Sequence, residues 1–163
     1  MTTGRTIGRY FKFQIEDSGG VMRDIPVNTI SGVGITYDEI DVSALQEAIK
    51  GFLAGLGAVS IPFGGPVDNT AAQAASGTGA APALSGSHTV LSALNGGNTG
   101  KSVGIYLGIQ SYWATGDPVF GGVDAFIVTD YTVDPAGMTY SAKLAYKAGA
   151  TAPAWGTSAV AAS

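Results

Sequence analysis

The sequence contains no cysteine, so a disulfide framework, a thiolate metal site and a cysteine nucleophile are all excluded. Charge is nearly as scarce. Aspartate, glutamate, lysine and arginine make up 12% of the residues, about half the usual share. No apolar run approaches the ~18 residues that would span a membrane as a helix. Residues 1–9 hold Arg5 and Arg9 with no hydrophobic segment after them, so they do not read as a signal peptide. The expected setting is the cytosol, or a particle assembled there. The eight basic residues are scattered, and the net charge is −4. Tight nucleic-acid binding needs clustered lysine and arginine to meet phosphates, and no cluster exists.

What is present is apolar and small. Hydrophobic residues make up 45% of the 163, and glycine alone numbers 25. The length suits one domain, 1–163, with a core large enough to need no staples. A monomer so poor in charge would have a weakly protected surface. That composition fits a small, alanine-rich soluble domain, or, on the sharper reading, a surface covered by further copies of the same chain.

Most of the periodic segments have the period of two that marks half-buried strands. Phe11, Phe13 and Ile15 alternate with Tyr10, Lys12 and Gln14. The run Glu16-Asp17-Ser18-Gly19-Gly20 then reads as a turn, and Val21 to Val27 returns as the second arm of a hairpin. Residues 30–41 place Val33, Ile35 and Tyr37 on one strand face and Gly32, Gly34, Thr36 and Asp38 on the other. Val59, Ile61 and Phe63 alternate again. So do Val103, Ile105, Leu107 and Ile109 against Ser102, Gly104, Tyr106, Gly108 and Gln110. Two further strands, 123–134 and 138–148, are joined by Asp134-Pro135-Ala136-Gly137, a strong hairpin signal. One helix is expected at 43–53. Leu45, Ala48, Ile49, Phe52 and Leu53 share a helical face, with Leu45, Ile49 and Phe52 as its core, and Ser43 with Gln46 fits a capping box. Residues 64–88 contain almost nothing large and apolar and read as a long Gly/Ala-rich loop. A short helical turn at 89–94 follows it, closed by Asn95-Gly96-Gly97. The segments 1–8 and 150–163 read as extended terminal arms.

None of the candidate motifs specifies chemistry. GGNTGKS at 96–102 resembles the end of a phosphate-binding loop, but the required first glycine is Asn95, and Lys101 enters a strand where that motif opens a helix. The single histidine, His88, lies beside a loop without a paired nucleophile and carboxylate. Asp38, Glu39 and Asp41 form the densest carboxylate group, yet no glycine-spaced calcium loop surrounds them. Trp113 and Trp155 read as packing anchors. No catalytic, cofactor or metal residue is assigned.

Six phrases together resemble the tail tube (major tail) proteins of long, non-contractile-tailed bacteriophages. They are TGRTIGRYFKF, RDIPVNTISGVGITYDEIDVSALQEAIKGFL, DNTAAQ, SGSHTVLSALNGG, TVDPAGMTYSAKL and TAPAWGT. The resemblance covers nearly the whole chain through phrasing and element order. It implies a mainly β fold, a β-sandwich or partly open barrel with one flanking α-helix. It implies no enzymatic activity and no cofactor. Six copies would form a ring, and rings would stack into a virion tail, assembled in the bacterial host cytoplasm, through which DNA passes without specific binding. Tape measure, tail terminator and distal tail proteins would be the other partners, with no membrane involved. The runner-up is the ring-forming tube protein of a type VI-like secretion or phage-derived injection system, which has the same fold.

The resemblance also implies an inner barrel of four strands from each of six subunits, with a backbone diameter of roughly 48 Å. Its wall should be small, polar and acidic, because rows of lysine or arginine would hold phosphates. Thr36 and Asp38 are the candidate lumen-facing residues, and the Ser102–Gln110 face is a second candidate wall. A third class, a small enzyme or ligand-binding sandwich, would instead show a concave pocket with convergent polar groups.

Overall fold

The structure, a computed structural model, describes residues 11–44, 48–72, 83–108 and 112–163. The mainly β architecture expected from the alternating segments is present. Strand β1 (Phe11–Glu16) turns through Asp17 into β2 (Met22–Asp24), antiparallel, with Gln14 opposite Asp24. The turn is held by Asp17, whose Oδ1 accepts from the Gly19 and Val21 amides at 2.8 and 3.0 Å. Gly20 stands at φ +82°, a conformation that glycine adopts without steric cost. Then come β3 (Thr29–Ile30), β4 (Thr36–Asp41), β5 (Phe52–Ala58), β6 (Ser60–Pro66) and β7 (Ala83–Leu84). The helix α1 (Ser87–Leu94) leads to β8 (Lys101–Leu107), β9 (Val119–Asp134), β10 (Thr139–Tyr146) and β11 (Ala154–Gly156).

Nine strands make one sheet, in the order β3-β6-β10-β9-β8-β1-β2-β7, with β11 added on β9; among the described residues β4 and β5 pair only with each other. The large sheet is curled. Strands β6 and β1 stand four places apart, which would be about 19 Å in a flat sheet. Yet the rings of Phe63 and Phe13 stack with centroids 4.9 Å apart. The link from β2 to β3 runs across the gap: the Asn28 amide donates to the Gly64 carbonyl at 2.9 Å, and the Tyr140 hydroxyl donates to the Pro26 carbonyl at 2.7 Å. The end strands β3 and β7 do not pair with each other, so the sheet stays open and does not close into a barrel. Inside the curl lie Ile15, Ile61, Val103, Ile105, Phe120, Phe126, Val128 and Leu144, all essentially without solvent contact. The sixteen-residue β9 serves two parts of the sheet, pairing with β8 and β11 through its first half and with β10 through its second. Gly121 allows the close approach to β8, since a Cβ there would lie 2.1 Å from the Val103 carbonyl oxygen.

Three expectations are corrected. The first is the helix at 43–53. Leu45 lies outside the described residues. Ile49 sits in an exposed bend, and Phe52 and Leu53 belong to strand β5. Ser43 closes the end of a hairpin instead of capping a helix: its hydroxyl accepts from the Gly51 amide at 2.6 Å, and Val42 donates to the Gly51 carbonyl at 3.0 Å. The physical reason is a weak helix competing with a strand partner. A helix of about eleven residues is marginal in water, and Gly51 inside it penalises it further, whereas in the ribbon Tyr37 and Ile40 across the ladder cover Gly57 and Gly55.

The second concerns the helix that does flank the sheet. It is α1, two residues longer at its start than the expected 89–94 turn, and it buries Val90, Leu91 and Leu94. Its position also corrects the loop reading at both ends of 64–88. The Ser87 hydroxyl donates to the Pro66 carbonyl at 2.9 Å, the His88 amide donates to the Asp68 carbonyl at 2.9 Å, and the Gly86 amide to that of Thr70 at 3.0 Å. The third concerns the C-terminal arm and the Ser102–Gly108 face. Residues 150–163 fold back on the sheet: β11 pairs with β9, the Val160 amide donates to the Tyr106 hydroxyl at 3.0 Å, and the Ser163 hydroxyl donates to Glu16 at 2.9 Å. Ser102, Tyr106 and Gly108 are therefore buried and cannot form a wet wall; Gln110 lies outside the described residues.

Candidate assembly surface

The chain's unpartnered apolar surface concentrates on one element. Strands β4 and β5 form an antiparallel ribbon with Thr36 opposite Ala58, Tyr37 opposite Gly57 and Asp41 opposite Phe52. A bulge on β5 sets Gly55 and Leu56 against Asp38. Every residue of β4, and all of β5 but Gly55, is exposed. Leu56 is 85% and Ile49 83% exposed, and Tyr37, Ile40, Val42, Phe52 and Leu53 are each more than half exposed. A two-stranded ribbon is marginal alone in water, and an apolar patch of this size on a soluble chain marks an interaction surface. Its outer edges also carry unpaired backbone groups, a template for another chain.

Strand pairing sorts the side chains. Thr36, Asp38, Ile40 and Leu53 share one face; Tyr37, Glu39, Asp41 and Phe52 share the other. Thr36 and Asp38, named from the sequence, are thus brought onto one exposed strand face with Ile40. The carboxylates of Glu39 and Asp41 lie on the opposite face, as alternation predicts, and the Asp41 carboxylate accepts from the Ser43 amide at 2.9 Å. That hydrogen bond holds its pKa below the ordinary value. At the root of the ribbon lies an apolar groove of about 450 Å³, lined among others by Ile35, Tyr37, Ala145, Tyr146, Ala152 and Pro153.

The remaining candidates have structural partners. Lys101 reaches back to β1, donating to the Asp17 carbonyl at 3.1 Å and standing 3.9 Å from the Glu16 carboxylate; the glycine-rich run before it is a turn into a strand. Burial alone would push the Glu16 carboxyl up, but hydrogen bonds from Ser102 and Ser163 outweigh it and hold the pKa below the ordinary value. His88 Nδ1 shares a 2.9 Å hydrogen bond with the Tyr131 hydroxyl. Trp113 packs edge-on against Tyr106, and Trp155 lies tilted against Phe120. Among the described residues no group of three or more histidines and carboxylates is placed to hold a metal ion, and no helix is long and apolar enough to cross a membrane.

Sequence reasoning missed the exposed set Tyr37, Ile40, Leu53 and Leu56. The signal was available: TYDEID and FLAGLGA are two extended runs separated by the ten residues 42–51, which carry Ser43, Gln46, Glu47 and Lys50. The helical spacing of Leu45, Ile49 and Phe52 masked it.

No family model matches the chain, and no curated protein matches it in sequence. Among solved structures, the chain is similar to one from the sheath–tube complex of an extracellular contractile injection system, PVC, in its extended state. The two share a TM-score of 0.51 and 13% identity, over 94% of this chain and 93% of that one. At that identity the likeness is one of fold: a mainly β fold of the kind found in a multi-subunit tube–sheath assembly.

Proposed function

We propose that this chain is a structural tube protein. Copies close into hexameric rings, and rings stack head to tail into a conduit. The observation that carries the reading is the exposed β4–β5 ribbon on an otherwise well-buried sheet, which calls for another copy to cover it. The fold likeness to a sheath–tube complex chain supports it. On the phage reading the conduit is the tail tube of a long non-contractile-tailed bacteriophage, a virion component through which DNA is ejected, and the chain has no catalytic role. Tape measure, tail terminator and distal tail proteins are then its further partners. Thr36 and Asp38 face the lumen, where small and acidic side chains let phosphates slide.

The second reading, the tube subunit of an injection system, is favoured by the source of the similar structure. Both predict the same ring. Negative-stain electron microscopy of the purified chain should show six-fold rings and tubes. Monomers alone at high concentration would defeat both readings. The flanking genes distinguish them: tape measure and terminator genes on the one hand, secretion components on the other.

A further inference from the structure

The ribbon and the groove at its root complement each other, but not within one molecule. The tip, around Asp41 and Phe52, lies about 20 Å along the strands from the root, at about 3.3 Å per residue. It cannot fold back into its own groove. The tip is apolar through Val42, Phe52 and Leu53, and acidic. Asp38, Glu39, Asp41 and Glu47 against Lys50 give residues 36–56 a formal charge of −3, most of the chain's −4. The root groove is apolar and its border is basic. Residues 139–149 carry Lys143 and Lys147 and no acid. Lys143 stands two residues from the groove residue Ala145, on the same outward face of β10. Among the described residues neither lysine pairs with a carboxylate.

We propose that the apolar, acidic tip of the β4–β5 ribbon of one copy seats in the root groove of the next copy, with Lys143 meeting its carboxylates. This rests on the assembly reading above and names its contact. Tip and groove are different surfaces, so the contact is heterologous. Repeated, it closes into a ring or runs on as a filament. The ribbon's apolar surface is thereby removed from water without a second kind of protein, and the net charges of tip and groove border attract.

The absence of cysteine makes the test clean. In the Phe52→Cys/Ala145→Cys double variant of the full chain, oxidation under assembling conditions should give a ladder of covalent dimers, trimers and larger species, with no such ladder from either single variant. Rings without a ladder would overturn the proposed contact while leaving the assembly reading intact. Covalent dimers from Phe52→Cys alone would show tips meeting symmetrically and also overturn it. A wild-type chain that forms no assemblies would sink both. Independently, Lys143→Glu should raise the concentration needed for assembly about tenfold, the effect of roughly one well-placed charge pair. Adding Glu39→Lys and Asp41→Lys, on the face of the ribbon that carries Phe52, should lower it again; an unchanged threshold in Lys143→Glu would remove the charge contact from the proposal.

Discussion

The curled sheet and the β4–β5 ribbon draw on similar residues and meet solvent in opposite ways. In the sheet, Phe13, Phe63, Phe120 and Phe126 disappear beneath neighbouring strands and α1. In the ribbon, Tyr37, Ile40, Phe52 and Leu53 remain in water. Nothing in the ribbon's own composition explains this. What differs is the number of neighbours: β9 alone pairs with β8, β10 and β11, whereas β4 and β5 have only each other. A strand buries its apolar face only when a second layer covers it, and among the described residues no second layer covers the ribbon. Stability should therefore reside in the sheet and association in the ribbon.

The largest expected effect is in the sheet. Phe126→Ala should cost about 3–5 kcal/mol of folding stability, because Phe126 has no solvent contact and its removal leaves a cavity in the core. Urea unfolding of the subunit measures it; a loss below about 1 kcal/mol would mean the curled sheet is not the stabilising core. Gly121→Ala should be damaging for another reason. Its methyl group would meet the Val103 carbonyl, forcing β8 and β9 apart, and amide exchange should show lost protection in both strands.

Smaller effects sharpen the same contrast. Tyr140→Phe removes the hydroxyl that donates to Pro26 and should cost about 1 kcal/mol, measured as a shift in the unfolding midpoint. A pH series reports on the covered face of β1. Burial pushes the Asp17 carboxyl up, but hydrogen bonds from Val21, Arg23 and Gly19 outweigh it, so its pKa, like that of Glu16, is depressed on folding. A depressed pKa contributes stability that is complete above the unfolded value, 4.5 for Glu16, and is lost as the pH falls through the folded one. Glu16→Gln should therefore flatten the acid limb of the stability curve. A limb as steep as wild type would mean that Glu16 is not held by Ser102 and Ser163. The smallest effect belongs to the ribbon: Phe52→Ala and Asp38→Ala should each change subunit stability by less than about 0.5 kcal/mol, while Phe52→Ala weakens assembly. Calorimetry beside sedimentation separates the two quantities. A large stability loss in Phe52→Ala would show that the ribbon belongs to the fold and is not an arm.

Much of the sheet was legible because strand alternation is local information. Phe13 and Ile15, Val103 and Ile105, and the Asp134–Gly137 hairpin appear where period two and turn chemistry place them. The 43–53 segment was misread because helical spacing and strand pairing compete there, and short apolar runs fit either period. The winner was chosen by residues 36–41, which the segment itself does not contain. The candidate wall at Ser102–Gly108 failed similarly. Alternation identifies two faces but not what covers them, and at Tyr106 the cover includes Val160, more than fifty residues along the chain.

The sequence by itself determined a β-rich chain, poor in charge and free of thiol chemistry, with its turns at glycine and proline, because each of these depends on a residue and its near neighbours. Only the tertiary structure decided that the sheet curls until Phe13 meets Phe63, that the C-terminal segment folds back on the sheet, and that the ribbon is left exposed. Those outcomes depend on which distant segments compete for the same surface, and that competition is resolved only once all of them are folded together.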